Sequence, residues 1–234
     1  MAILILLVAV LVPTALLTAF GGGATGTIEA AAPARAARLA PAGTPAPKVV
    51  AIYGNLRLQL PVAAGRITAV GYHGGTSGAL ALSPVGSRAN EGLLARFVHR
   101  IIGGDSSGMR WYQLAGGQGA PTSALDVGAL PGTDVYAPAD GVIVGLQDLI
   151  LNGRPYGQRI EIQPNGAPSV VVTVSHVRAD PALAVGSAVV ASHSRLGAVL
   201  DFSGVERQSL ARYTQDAGNH VSLELHPAAT LSLR

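Results

Sequence analysis

Apolar and polar positions divide the chain into three stretches of different character. Ala2 to Phe20 is an apolar run broken only by Pro13 and two threonines. At about 1.5 Å per residue it is long enough to cross a hydrocarbon core of about 30 Å. Residues 1–20 therefore read as a signal peptide or an N-terminal membrane anchor, an export segment in either case. No Lys or Arg precedes the run and the nearest downstream ones are Arg35 and Arg38, so the pattern leaves cleavage and orientation open. Residues 21–48, from Gly21 to Lys48, are Ala, Gly and Pro with few large apolar side chains. Such a segment buries too little surface to order itself and reads as a tether, spanning roughly 30 Å r.m.s. as a coil.

Residues 49–234 form the folded part. Ile67/Ala69 and Ile160/Ile162 alternate against polar neighbours between short Gly- or Pro-bounded connections, the period of half-buried strands. Two segments break that period. Asn90 to Ile102 repeats apolar residues at Leu93, Leu94, Phe97 and Ile101 and stops at Gly103, and Gly204 to Tyr213 follows Ser203 and Glu206 at capping-box spacing. Both predict short amphipathic helices inserted among strands. Gly132 to Val144, Val185 to Val190 and Leu196 to Val199 suggest a barrel-sandwich scaffold. The expected fold is thus mainly β, a barrel-sandwich of duplicated hybrid-motif type with two short inserted helices. Biotinyl and lipoyl carriers share such half-motifs but need a modifiable lysine on a hairpin, and Lys48 is the chain's single lysine.

Composition narrows the function. With 49% apolar and 12% charged residues the chain has enough material for one core. The net charge of +3 comes from scattered arginines, and aromatics, at 4%, do not interleave with them, so no stacking platform for nucleic acid is present. The absence of cysteine excludes disulfides, thiolate zinc sites and a lipidated N-terminal Cys.

The chemistry-bearing residues lie in a few short motifs. Asp126-Val127-Gly128 precedes Gly132-Thr133-Asp134-Val135-Tyr136-Ala137, and Asn219-His220-Val221-Ser222-Leu223-Glu224 lies near the C-terminus. Alternation puts Val221, Leu223 and Leu225 on one face of that last strand and His220, Ser222, Glu224 and His226 on the other. With Arg66 to Tyr72 and Tyr156 to Ile162, these motifs resemble, in order and over about Leu60 to His226, the lysostaphin-type (LytM-type) zinc peptidases that cut peptidoglycan. In that family zinc is held by a His four residues before an Asp, by that Asp, and by the second His of an H-x-H strand. A middle His and the first His of H-x-H handle protons. Carried over by the resemblance, the Asp is Asp126, the middle His is His176 and the first His of H-x-H is His220. The other two ligand positions hold Thr122 and Ser222.

Neutral hydroxyls are poor zinc ligands. If structural zinc is worth about 10–16 kcal/mol over four ligands, losing two weakens binding by roughly four orders of magnitude. The resemblance therefore implies a degenerate, zinc-free cell-envelope module, with no cofactor, that binds peptidoglycan or regulates a wall hydrolase. It would act outside the cytoplasm, anchored in the membrane by its N-terminal segment or secreted to the wall. Leu93, Phe97 and Ile101 are candidate partner contacts. The alternative is an active zinc endopeptidase with a rewired site built from Asp126, His176 and His220, with or without a loop histidine. His73 and His193, in loop-like contexts, read as surface residues, and His99 as part of a polar helix face.

Overall fold

The computed structural model describes residues 44–90, 108–151, 153–205 and 207–228. The expected export segment and tether, apart from Thr44 to Lys48, and the helix expected from Asn90 to Ile102, apart from Asn90 itself, lie outside the described residues.

Fourteen strands are described: β1 (Val49–Tyr53), β2 (Leu56–Gln59), β3 (Ile67–His73), β4 (Ser83–Pro84), β5 (Ser87–Arg88), β6 (Arg110–Gln113), β7 (Ala124–Ala129), β8 (Asp134–Tyr136), β9 (Gly141–Leu151), β10 (Arg154–Pro164), β11 (Val170–Ala179), β12 (Ala188–Val189), β13 (Arg195–Val199) and β14 (His220–Pro227). β2-β1-β4 form a small sheet, and the others a large mixed sheet ordered β12-β9-β10-β11-β14-β7-β3-β6-β5, with β13 bridging β11 and β8. Among the described residues the fold is mainly β, without a closed barrel.

Alternation explains the two faces of the large sheet. Along one row of cross-strand partners run Tyr72, Leu125, Leu223, Val174 and Ile160; a second row holds Val70, Val127 and Val221. All eight are buried in the main core. The other face carries Gly71, Asp126, Ser222 and Ser175 in one row and His73, Ala124, Glu224 and Thr173 in the next. A slip of one residue in any of these strands would exchange the faces, so the apolar rows fix the register that gathers the polar ones.

The second expected helix is shorter than the capping pattern implied. Among the described residues of that segment only Ser209–Arg212 is helical, as a 3-10 turn. Ser203 spends its backbone N–H and its hydroxyl on Asp201 Oδ1, a local turn that competes with capping. The 3-10 turn seats Leu210 over the polar face, where it clusters with Ala69 and Leu114. Gly71 and Gly128 make room for it, because a Cβ at Gly128 would stand 2.7 Å from Leu210 Cδ2 and one at Gly71 2.6 Å from Leu114 Cδ1. One end of the polar face is therefore roofed by apolar side chains.

A glycine contact holds the chain just beyond β3. Gly117 has φ +78, and a Cβ there would stand 1.5 Å from the carbonyl oxygen of Gly74. Gly117→Ala is expected to cost at least about 3 kcal/mol, from the clash and the left-handed backbone together. Gly54→Ala, also at positive φ (+55) but with open space around it, should cost about 1 kcal/mol. Urea denaturation of the two variants checks the difference.

Candidate functional site

The polar face brings four of the chain's titratable residues into one file: His73, Asp126, His220 and His176. Asp126 sits in β7, a strand buried along its whole length, and is 4% exposed. His220 opens β14 and is also buried. Its Nδ1 donates to the Gly218 carbonyl at 2.9 Å, which turns Nε2 inward, 3.5 Å from Asp126 Oδ1. That oxygen has no hydrogen-bond partner within the usual limit among the described residues.

His176 reaches the file through an irregularity. Val170, Val172 and Val174 face the core, so strict alternation would send His176 there as well. Between the pairs Ile160↔Val174 and Gln158↔Val177, however, β11 carries one residue more than β10, and His176 has φ 64. This is a β-bulge with a left-handed residue, a device that re-aims a side chain. The His176 ring packs on Phe202 with centroids 4.6 Å apart, and its Nδ1 lies 3.0 Å from His220 Nε2. One of these two nitrogens donates to the other, which joins the two rings directly.

His73 is the residue that the sequence reading took for a surface loop position. It is instead the last residue of β3, paired with Ala124, and its Nε2 donates to Asp126 Oδ2 at 3.0 Å. Its Nδ1 lies 2.6 Å from the Gly74 carbonyl. The available signal was period two: with Val70 and Tyr72 in the core, Gly71 and His73 belong to Asp126's face. His193 is exposed, as expected, and His99 lies outside the described residues. Further along the face, Glu224 accepts from Thr76 N–H at 3.1 Å, Thr76 Oγ1 at 2.5 Å and His226 Nε2 at 3.0 Å.

Thr122 and Ser222 stand differently. Ser222 is directly across from Asp126 and buried. Thr122 lies in the turn before β7, and its hydroxyl donates to the Leu82 carbonyl at 2.7 Å.

The electrostatics follow from this packing. Burial pushes the Asp126 carboxyl up, but the surrounding imidazoles of His220, His73 and His176 more than offset it and hold the group well below the usual carboxylate range. For His73 burial opposes charging, yet the hydrogen bond and charge of Asp126, with help from Gly74 and Glu224, raise it to about 9. Burial and then the neighbouring His220 lower His176 to about 4.

Stability is therefore expected to peak near pH 6.5. The His73 contribution is complete below its unfolded value of about 6.5 and is lost as pH rises toward 9. The His176 contribution is complete above about 6.5 and is lost as pH falls toward 4. At about 1.4 kcal/mol per tenfold change in proton affinity the alkaline limb would reach about 3.5 kcal/mol for a fully buried ring, and solvent screening of the partly exposed His73 brings it to roughly 2–3 kcal/mol. Urea midpoints from pH 4 to 10 should show both limbs, with His73→Gln flattening the alkaline one; a wild-type curve as flat as the variant's from 6.5 to 9 would contradict the assignment.

For the zinc that the resemblance implies, the donor set is a poor fit. Among the described residues no three of His, Cys, Asp or Glu are grouped so as to hold a metal ion. Asp126 Oδ2 already receives a proton donor, and Thr122's hydroxyl is committed to a backbone carbonyl.

Compared with known proteins, the chain matches no protein family and no curated protein. Among solved structures it is similar to Csd3 of Helicobacter pylori, at 21% identity and a TM-score of 0.32, over 46% of this chain and 24% of that one. It is similar to lysostaphin at 17% identity and TM-score 0.34, over 47% and 38%. Pseudoalterin, a deep-sea M23 metalloprotease, gives 20% and 0.31 over 47% and 58%. Each is a partial structural resemblance, and the chain spans less than two thirds of the length of each neighbour.

Proposed function

We propose that the folded part is a cell-envelope module with a peptidase-like groove that binds peptidoglycan and does not hydrolyse it. The observation that supports this most is the occupation of the polar face. His220 and His176, the two proton-handling positions of the resemblance, lie together beside Asp126, its one retained ligand position, while positions 122 and 222 offer hydroxyls, one of them already spent on Leu82. Partly buried His176, beside Phe202, gives the groove a polar and an aromatic contact for a peptide stem.

Sedimentation with purified sacculi tests this reading. The full chain should co-sediment, His176→Ala should weaken retention by about tenfold, the cost of one hydrogen bond to a polar partner, and no soluble muropeptide should appear. Failure to co-sediment, or muropeptide release that a chelator stops, contradicts it. A second reading, a zinc endopeptidase with a rewired site, gains from the position of His73 beside Asp126, since two histidines and a carboxylate are a known zinc set. Zinc content separates the two.

A further inference from the structure

A carboxylate taken out of water normally has a partner of opposite charge or a full set of hydrogen bonds, and Glu161 in β10 has neither. It is 7% exposed, and among the described residues no hydrogen bond or ion pair reaches its side chain. Period two explains its place. Ile160 and Ile162 lie in the core, so Glu161 stands on the polar face, in the row that runs through Thr173, Glu224, Ala124 and His73. The other glutamate of that row is engaged, since Glu224 accepts from Thr76 and His226. Glu161 leans the opposite way, over β9: a Cβ at Gly145, its cross-strand partner, would stand 2.2 Å from Glu161 Oε2. Arg159, two residues along on the same face, forms no ion pair with it. The fully enclosed unpaired side-chain atoms among the described residues are Gln59 Oε1, Asp126 Oδ1 and Ser192 Oγ, so the Glu161 carboxylate is unpaired yet open to a ligand.

Between Asp126 and Glu161 the same face offers hydroxyls. Ser222, Ser175 and Thr173 lie on the two intervening strands, and among the described residues none of their hydroxyls has a hydrogen-bond partner. Three strand spacings and one step of two residues make the path roughly 15 Å, the reach of four to five extended residues. We infer that Glu161 is the recognition point for a free ammonium group on a peptide bound along this path. The peptide lies across β14 and β11 with its polar groups over the hydroxyls and its amine at the slot above Gly145. A lone carboxylate supplies too few oxygens for a hard metal cation, whereas an ammonium is satisfied by one strong acceptor with hydroxyls or water beside it. The cost of keeping the carboxylate there unpaired is offset when that cation binds. The inference rests on the peptidoglycan-binding reading and names the feature of the stem that the groove selects.

Sacculi with free and with blocked amines test it on the full chain. Retention on sacculi N-acetylated with an active ester should fall about tenfold relative to untreated sacculi, the loss of one charge-assisted hydrogen bond. Glu161→Gln should bind both preparations alike, at the lower level. Gly145→Ala, which keeps the charge but displaces the carboxylate, should do the same. Equal retention of the wild type on the two preparations, or an undiminished preference in Glu161→Gln, overturns the inference and leaves the peptidoglycan reading standing; no retention on either preparation overturns both. Urea denaturation without ligand gives an independent check, because removing an unpaired charge should leave the midpoint of Glu161→Gln at or above that of the wild type. A lower midpoint would show that the carboxylate serves the fold and would overturn the inference.

Discussion

Restoring histidines at positions 122 and 222 and removing the one at 73 is expected to raise zinc affinity by roughly four orders of magnitude, at about 3 kcal/mol for each of the two ligands regained. Ser222→His places its imidazole on the strand position directly across from Asp126. Thr122→His gives up the hydroxyl's bond to the Leu82 carbonyl, worth about 1 kcal/mol. His73→Ala matters as much as either, because it frees the carboxylate oxygen now bonded to an imidazole. The double variant that retains His73 should therefore bind zinc more weakly than the triple variant, and calorimetric titration orders the series. Equal affinities for the two would show that His73 does not compete for Asp126; no uptake in either would show that the position four before Asp126 is not a ligand position in this fold.

Asp126→Ala should be the most destabilising single change on the polar face. It leaves His73 without its acceptor and removes the nearest carboxylate from the buried ring of His220. Breaking one side of a buried ion pair costs about 3–5 kcal/mol, and the partial exposure of His73, 24%, sets the expectation at the lower end. For a domain of this size about 3 kcal/mol lowers the melting midpoint by roughly 6–12 °C. Calorimetry of the variant at pH 6.5 reads this directly, and a shift below about 2 °C would remove the pair from the groove's stability.

Most of the strands were legible because apolar alternation is a local property. Val221, Leu223 and Leu225 already assign β14 its two faces, and the structure pairs those faces with Val127 and Leu125. What was hidden depends on relations between strands. A bulge appears only when β11 is counted against β10, so the sequence could not show that His176 leaves the valine face. His73 looked like the start of a loop because Gly74 and Gly75 follow it, although alternation from Val70 and Tyr72 assigns it to Asp126's face. The helix from Gly204 to Tyr213 shrank to Ser209–Arg212 because Ser203 found a nearer acceptor in Asp201. Capping spacing is a statement about the helix alone and does not include that competitor.

The most direct test of a groove that holds but does not cut is the metal content of the purified full chain, measured together with muropeptide release from sacculi. The account predicts zinc far below one equivalent after dialysis and no muropeptide release, with or without a chelator. One tightly held equivalent of zinc, with release abolished by chelation and restored by adding zinc back, would contradict it.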